Sequence, residues 1–74
     1  MNNVVIKCHA KACHEAQYAY VEALTFDHVS HQIYPHCTSM RTKALVLDYN
    51  TAKALRAQME FFHANKYEFT LEMA

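Results

Sequence analysis

Residues 12–24 read Ala12-Cys13-His14-Glu15-Ala16-Gln17-Tyr18-Ala19-Tyr20-Val21-Glu22-Ala23-Leu24, and the reading of this stretch decides the fold. Ala, Glu, Gln and Leu favour helices. Ala16, Ala19, Tyr20 and Ala23 fall on one helical face, and Glu15, Tyr18 and Glu22 on the other. The stretch therefore predicts a helix over 12–24, although no good N-cap residue precedes it. A second reading carries this helix on to about His31 and leaves three strands with two helices.

The flanks supply the other elements. Residues 3–8 are rich in β-branched side chains and predict a strand. In 26–34, Val29, His31 and Ile33 recur with period two, which predicts a strand ended by Pro35. Residues 43–48 form a short apolar run bounded by turn residues and predict another strand. Asn50 is the expected cap of a helix over 51–64, whose core stripe is Ala52, Leu55, Met59 and Phe62. Tyr67, Phe69, Leu71 and Met73 then alternate with Glu68, Thr70 and Glu72, the mark of a half-buried strand. Leu55, Met59, Phe62, Phe69 and Leu71 are expected to bury against one another. The order is β-α-β-β-α-β. It predicts a ferredoxin-like α+β domain, two helices on one face of a four-stranded antiparallel sheet.

Seventy-four residues suit a single domain with a small core. Seven basic and seven acidic residues cancel, which argues against a duplex-binding module and against an acidic mimic of nucleic acid. The chain has no glycine, so Gly-rich phosphate loops and Gly-x-Ser-x-Gly elbows are excluded. Turns must rely on Asn, Asp, Ser and Pro35. The N-terminus lacks the apolar core of a signal peptide, and no apolar run is long enough for a membrane span. Three cysteines suit free thiols in a reducing compartment, so the expected location is the cytoplasm.

Cysteine and histidine concentrate in the first half. The expected topology gathers Cys8, His9, Cys13, His14, His36, Cys37 and His63 at one pole, with His28 and His31 lower. Cys8, Cys13, His14, His36 and Cys37 are the candidate metal ligands, with zinc or copper as the ion. The competing reading makes Cys8 a small apolar residue that continues the Val4/Ile6 face. His63, at the end of the second helix, suits the negative end of the helix dipole. A Cys/His nucleophile pair lacks any accompanying oxyanion loop, so no catalytic residue is assigned.

The loop holding Cys8 and Cys13 resembles, in position, the loop where heavy-metal-associated domains carry a Cys-x-x-Cys motif. The likeness is one of layout. Here the spacing is Cys8-x4-Cys13, Ile6 stands where methionine is usual, and no glycine opens the loop.

The outer sheet face is expected to carry Val5, Lys7, Glu68, Thr70 and Glu72, with a Lys7–Glu68 pair. It lacks the central aromatics that stack nucleic acid bases, so single-strand binding ranks third among the functions. Tyrosine is abundant, and Tyr18, Tyr34, His36 and Phe61 are the candidate partner-binding residues. The expectation is a non-enzymatic regulator, inhibitor or accessory subunit that binds a larger protein, as a monomer or homodimer. Such small domains are common in phages and mobile elements. No cofactor is expected unless the Cys/His pole holds zinc or copper.

Overall fold

A strand with apolar side chains on both faces must be central in its sheet, and β1 (Asn3–Ala10) has that character: Val4, Ile6 and Cys8 are buried on one face and Val5 on the other. The computed structural model describes residues 2–11, 18–63 and 65–74. The remaining elements are β2 (Ala19–Phe26), β3 (Ile33–Thr38), a 3-10 turn at Arg41–Lys43, β4 (Leu47–Asp48), α1 (Tyr49–His63) and β5 (Tyr67–Met73). All strand pairings are antiparallel. β5 pairs with β1 from Val4↔Met73 to Ala10↔Tyr67. The opposite edge of β1 is shared: β2 pairs at Lys7↔Tyr20 and Cys8↔Ala19, and β4 at Asn3↔Asp48 and Val4↔Leu47. β3 lies outside β2.

The described residues therefore hold one α-helix and a five-stranded sheet, still α+β but not the ferredoxin-like arrangement of two helices on four strands. The difference lies in the stretch expected to be helical. From Ala19 to Phe26 it is a strand, which also rules out a helix running to His31; residues 12–17 of the expected helix lie outside the described residues. Helix propensity is a weak prior that tertiary pairing overrides. Tyr20, Val21, Thr25 and Phe26 are good strand formers, and β2 is clamped between β1 and β3. The period-two signal is hidden by a β-bulge. Val21 pairs with Cys37 but Ala23 pairs with His36, so Glu22 is an extra residue. The bulge lets both Val21 and Leu24 reach the core, a spacing of three that imitates a helix.

The other boundaries shift for local reasons. Residues 27–32, expected to extend a strand, form the β2–β3 turn. Asp27 Oδ1 accepts the Val29 N–H at 2.9 Å, the His31 N–H donates to the Asp27 carbonyl at 2.8 Å, and the Asp27 N–H donates to Gln32 at 2.9 Å. His31 takes φ 58°, a left-handed position that glycine would ordinarily fill. Pro35 does not end a strand but lies within β3, an edge strand where its missing N–H costs no ladder bond. Most of the expected strand over 43–48 is a crossing. Arg41 reaches across the outer face to Glu72 at 2.9 Å and to the Met73 carbonyl. The chain then fills the wedge between β1 and β2, with the Leu45 N–H on the Val21 carbonyl at 2.9 Å. Helix α1 starts earlier than expected, and its cap is Asp48 rather than Asn50. The Asp48 carboxylate accepts the Thr51 N–H at 3.1 Å and the Thr51 hydroxyl at 2.6 Å.

Helix α1 packs across β1, β3, β4 and β5 on the inner face. Ala52 and Met59 are fully buried against Val4, Ile6, Cys8, Val21 and Phe69, with Leu55 and Leu71 packed alongside. Phe62, expected in this core, remains 37% exposed and meets Phe61 edge-to-face. No helix among the described residues is long and apolar enough to cross a membrane.

Truncating Met59 or Phe69 to Ala should lower stability by about 2–5 kcal/mol in denaturant unfolding, whereas Glu68→Ala should change it by less than about 0.5 kcal/mol. Hydrogen bonds to the Thr51 hydroxyl and N–H hold the Asp48 carboxyl below its usual range. Its stabilising contribution is thus complete above about pH 5 and lost as the pH falls through the lowered folded-state value. Asp48→Ala should melt at a lower temperature than the parent near neutral pH, and the gap should close on acidification below about pH 4.

Candidate functional site

Successive side chains of a strand point to opposite faces, and this separates the members of the two Cys/His pairs that lie among the described residues. On β1, Cys8 faces the core while His9 turns to the outer face, its ring 5.2 Å from that of Tyr18. On β3, Cys37 faces inward beside buried Val21, while His36 turns outward and shares a 2.5 Å hydrogen bond between its Nε2 and Thr25 Oγ1. Of the described candidate ligands, Cys8 and Cys37 therefore share the inner face and His36 lies on the outer one. Cys13 and His14 lie outside the described residues. Among the described residues no three of His, Cys, Asp or Glu converge as a metal-holding group.

What does converge is the pair of free thiols. Cys8 and Cys37 both line a groove of about 650 Å³ on the inner face, at the C-terminal end of α1. Among the described residues, the one helix leaves this part of the sheet uncovered. Ala10 and Ala19 form its floor with Cys8, and Tyr34, Pro35 and Cys37 form the β3 wall. His63, Lys66 and Tyr67 close the side toward α1 and β5, and Tyr18 borders the lining while its ring packs with His9 and Lys7 on the outer face. His63 does more than meet the helix dipole. Its Nε2–H donates to the Ile33 carbonyl at 3.1 Å and so ties the end of α1 to β3. That bond fixes the tautomer, and the ring lies 5.9 Å from Tyr34.

The thiols perturb each other. The hydrogen bond with Cys37, together with burial, pushes the Cys8 thiol far up. The hydrogen bond from Cys8 brings Cys37 down to about 7, against burial and the charge of Glu22. Cys8 is thus the apolar core residue that the competing reading described.

Of the candidate partner residues, Tyr18 and Tyr34 line the groove, His36 sits on the outer face, and Phe61 is 83% exposed on α1 away from the groove lining. Sequence reasoning missed Pro35, His63, Lys66 and Tyr67 as groove residues. They come from separate elements, and no spacing in the chain links them.

On the outer face, Lys7 pairs with Glu72 at 3.2 Å instead of the expected Glu68, and lies 4.2 Å over the Tyr18 ring. Arg41 holds the other oxygen of Glu72. These two cations are engaged by that carboxylate, and the 39–46 segment crosses the same face.

A Tyr34→Ala chain should keep its fold, because Tyr34 is 39% exposed and outside the buried core. Its far-UV spectrum and melting midpoint should stay close to those of the parent. The chain matches no family model, no curated protein and no solved structure.

Proposed function

We propose that this chain is a non-enzymatic protein-binding module whose groove takes an apolar side chain from an extended, acidic segment of a partner protein. The observation that carries this reading is the groove itself. Among the described residues it is an open, largely apolar trough rimmed by Tyr34 and Tyr67. Tyrosine offers a large contact area with a polar tip and little rotamer freedom to lose, which suits it as an anchor. His63 and Lys66 are the basic groups on the rim, and no carboxylate stands among the described residues lining it. That imbalance favours acidic residues flanking the inserted side chain.

Pairing of the partner as an added strand on β3 is disfavoured. Pro35 removes one donor from that edge, and His63 occupies the Ile33 carbonyl. Affinity therefore has to come from side chains that enter the groove. Zinc usually requires four ligands, and among the described residues Cys8, Cys37 and His63 of the groove form no metal-holding group, so these residues fit a peptide better than a structural zinc site.

Capture of partners from the native host on the tagged chain, followed by mapping of the bound segment and calorimetry, tests the proposal. Tyr34→Ala and Tyr67→Ala should each weaken binding by about 1–3 kcal/mol, and Phe61→Ala should change it by less than about 0.5 kcal/mol. A partner whose affinity depends on Phe61 and ignores Tyr34 would place the interface elsewhere.

A further inference from the structure

We propose that the free edge of β5 pairs antiparallel with β5 of a second copy of this chain, around a two-fold axis at Phe69, and so joins two sheets into one. The two edges of the sheet differ. β3 is blunted by Pro35 and by the His63 bond to the Ile33 carbonyl. β5 carries no proline, and its register with β1 runs without a bulge from Met73 to Tyr67. Among the described residues no strand pairs with its far edge. The ladder fixes which backbone groups face that way. Just beyond the ends of β5, the Ala74 N–H donates to the Asn3 carbonyl at 3.0 Å and the Lys66 carbonyl accepts the Lys11 N–H at 2.9 Å. In an antiparallel pair, residues bonded to one neighbour alternate with residues turned to the other side. Glu68, Thr70 and Glu72 therefore bond to β1, and the N–H and carbonyl groups of Tyr67, Phe69, Leu71 and Met73 point away from it. Arg41 takes the Met73 carbonyl and closes that end. The open stretch, Tyr67 to Leu71, is centred on Phe69.

A second copy of the same strand satisfies this stretch in one register. With the axis at Phe69, Phe69 lies opposite Phe69 of the second copy and Tyr67 opposite Leu71, which exchanges about six backbone hydrogen bonds. On the outer face, Glu68 meets the Thr70 hydroxyl of the second copy, and Lys66 meets Glu72, a pair of opposite charge. An axis at Thr70 would instead set Glu68 against Glu72, which like charge opposes. A hollow of about 440 Å³, bordered by Lys11, Glu60 and residues 67–70, lies along this part of the edge and receives the added strand. The pairing consumes both β5 edges, and both β3 edges are blunted, so assembly closes at two copies.

Sedimentation of the full chain under reducing conditions tests this. A monomer–dimer equilibrium is expected, with a Kd of roughly 1–100 µM for a contact only one strand wide. Thr70→Glu sets like charges opposite Glu68 at two symmetric places and should raise that Kd about tenfold, while the far-UV spectrum stays that of the parent. Adding Glu68→Lys to this variant turns both pairs attractive and should restore the dimer. Amide hydrogen exchange on the parent chain is a check without substitution. Protection of the Tyr67, Phe69 and Leu71 N–H groups should rise with protein concentration, and that of Glu68, Thr70 and Glu72 should be present throughout. A chain still monomeric at about 200 µM, assembly beyond two copies, a dimer indifferent to Thr70→Glu, or exchange at Tyr67, Phe69 and Leu71 that ignores concentration would each overturn the proposal. Should Thr70→Glu fail to fold, sedimentation and exchange of the parent decide alone. Glu68 and Thr70 do not line the groove proposed for the partner segment, so failed capture and failed dimerisation are separate results.

Discussion

The pairing of β1 with three other strands is the constraint from which the rest of the molecule follows. One edge is covered along its length by β5, and the other is divided between β2 and β4. A slip of one residue would turn Val4, Ile6 and Cys8 to the outer face and Lys7 into the core. Two independent sets of contacts oppose that slip. On the inner face Ile6 lies against Met59 and Phe69 in the core. On the outer face Lys7, Glu72 and Arg41 form a charge group that joins β1, β5 and the crossing segment. Surface ion pairs contribute little singly, so the group acts more on register than on stability.

A chain without glycine has to place its tight turns on other residues, and this shapes the sheet edge. Asp27 replaces glycine's freedom with hydrogen bonds accepted by its carboxylate and carbonyl and donated by its N–H, and His31 accepts the left-handed position. The resulting hairpin sets β3 at the edge, where Pro35 and the His63 bond blunt its pairing capacity. The same hairpin brings Cys37 back over the inner face. Among the described residues one helix covers the sheet only in part, which leaves the groove, and the groove's wall is the hairpin that stands where a second helix was expected.

The candidate site shows how sequence proximity misleads in a strand. Cys8-His9 and His36-Cys37 look like ligand pairs, yet the pleat sends each histidine away from its cysteine. Cys8 and Cys37, far apart in the chain and two strands apart in the sheet, line the same groove instead. Tyr34, His63 and Tyr67 become neighbours only through the tie between the end of α1 and β3.

The amino-acid sequence by itself determined the elements whose periodicity is local and unbroken. The alternation of 67–73 gave β5 its bounds, the β-branched run gave β1, and the stripe through Ala52, Leu55 and Met59 gave α1 and its buried face. Tertiary structure decided the segment from Ala19 to Thr38 and everything that depends on it. There the bulge at Glu22 breaks the period, Ala, Glu and Leu favour a helix in isolation, and strand pairing with β1 overrides them. Pairing partners distant in sequence leave no local trace, which is why the fold class, the groove and the thiol pair were legible only once β2 lay between β1 and β3.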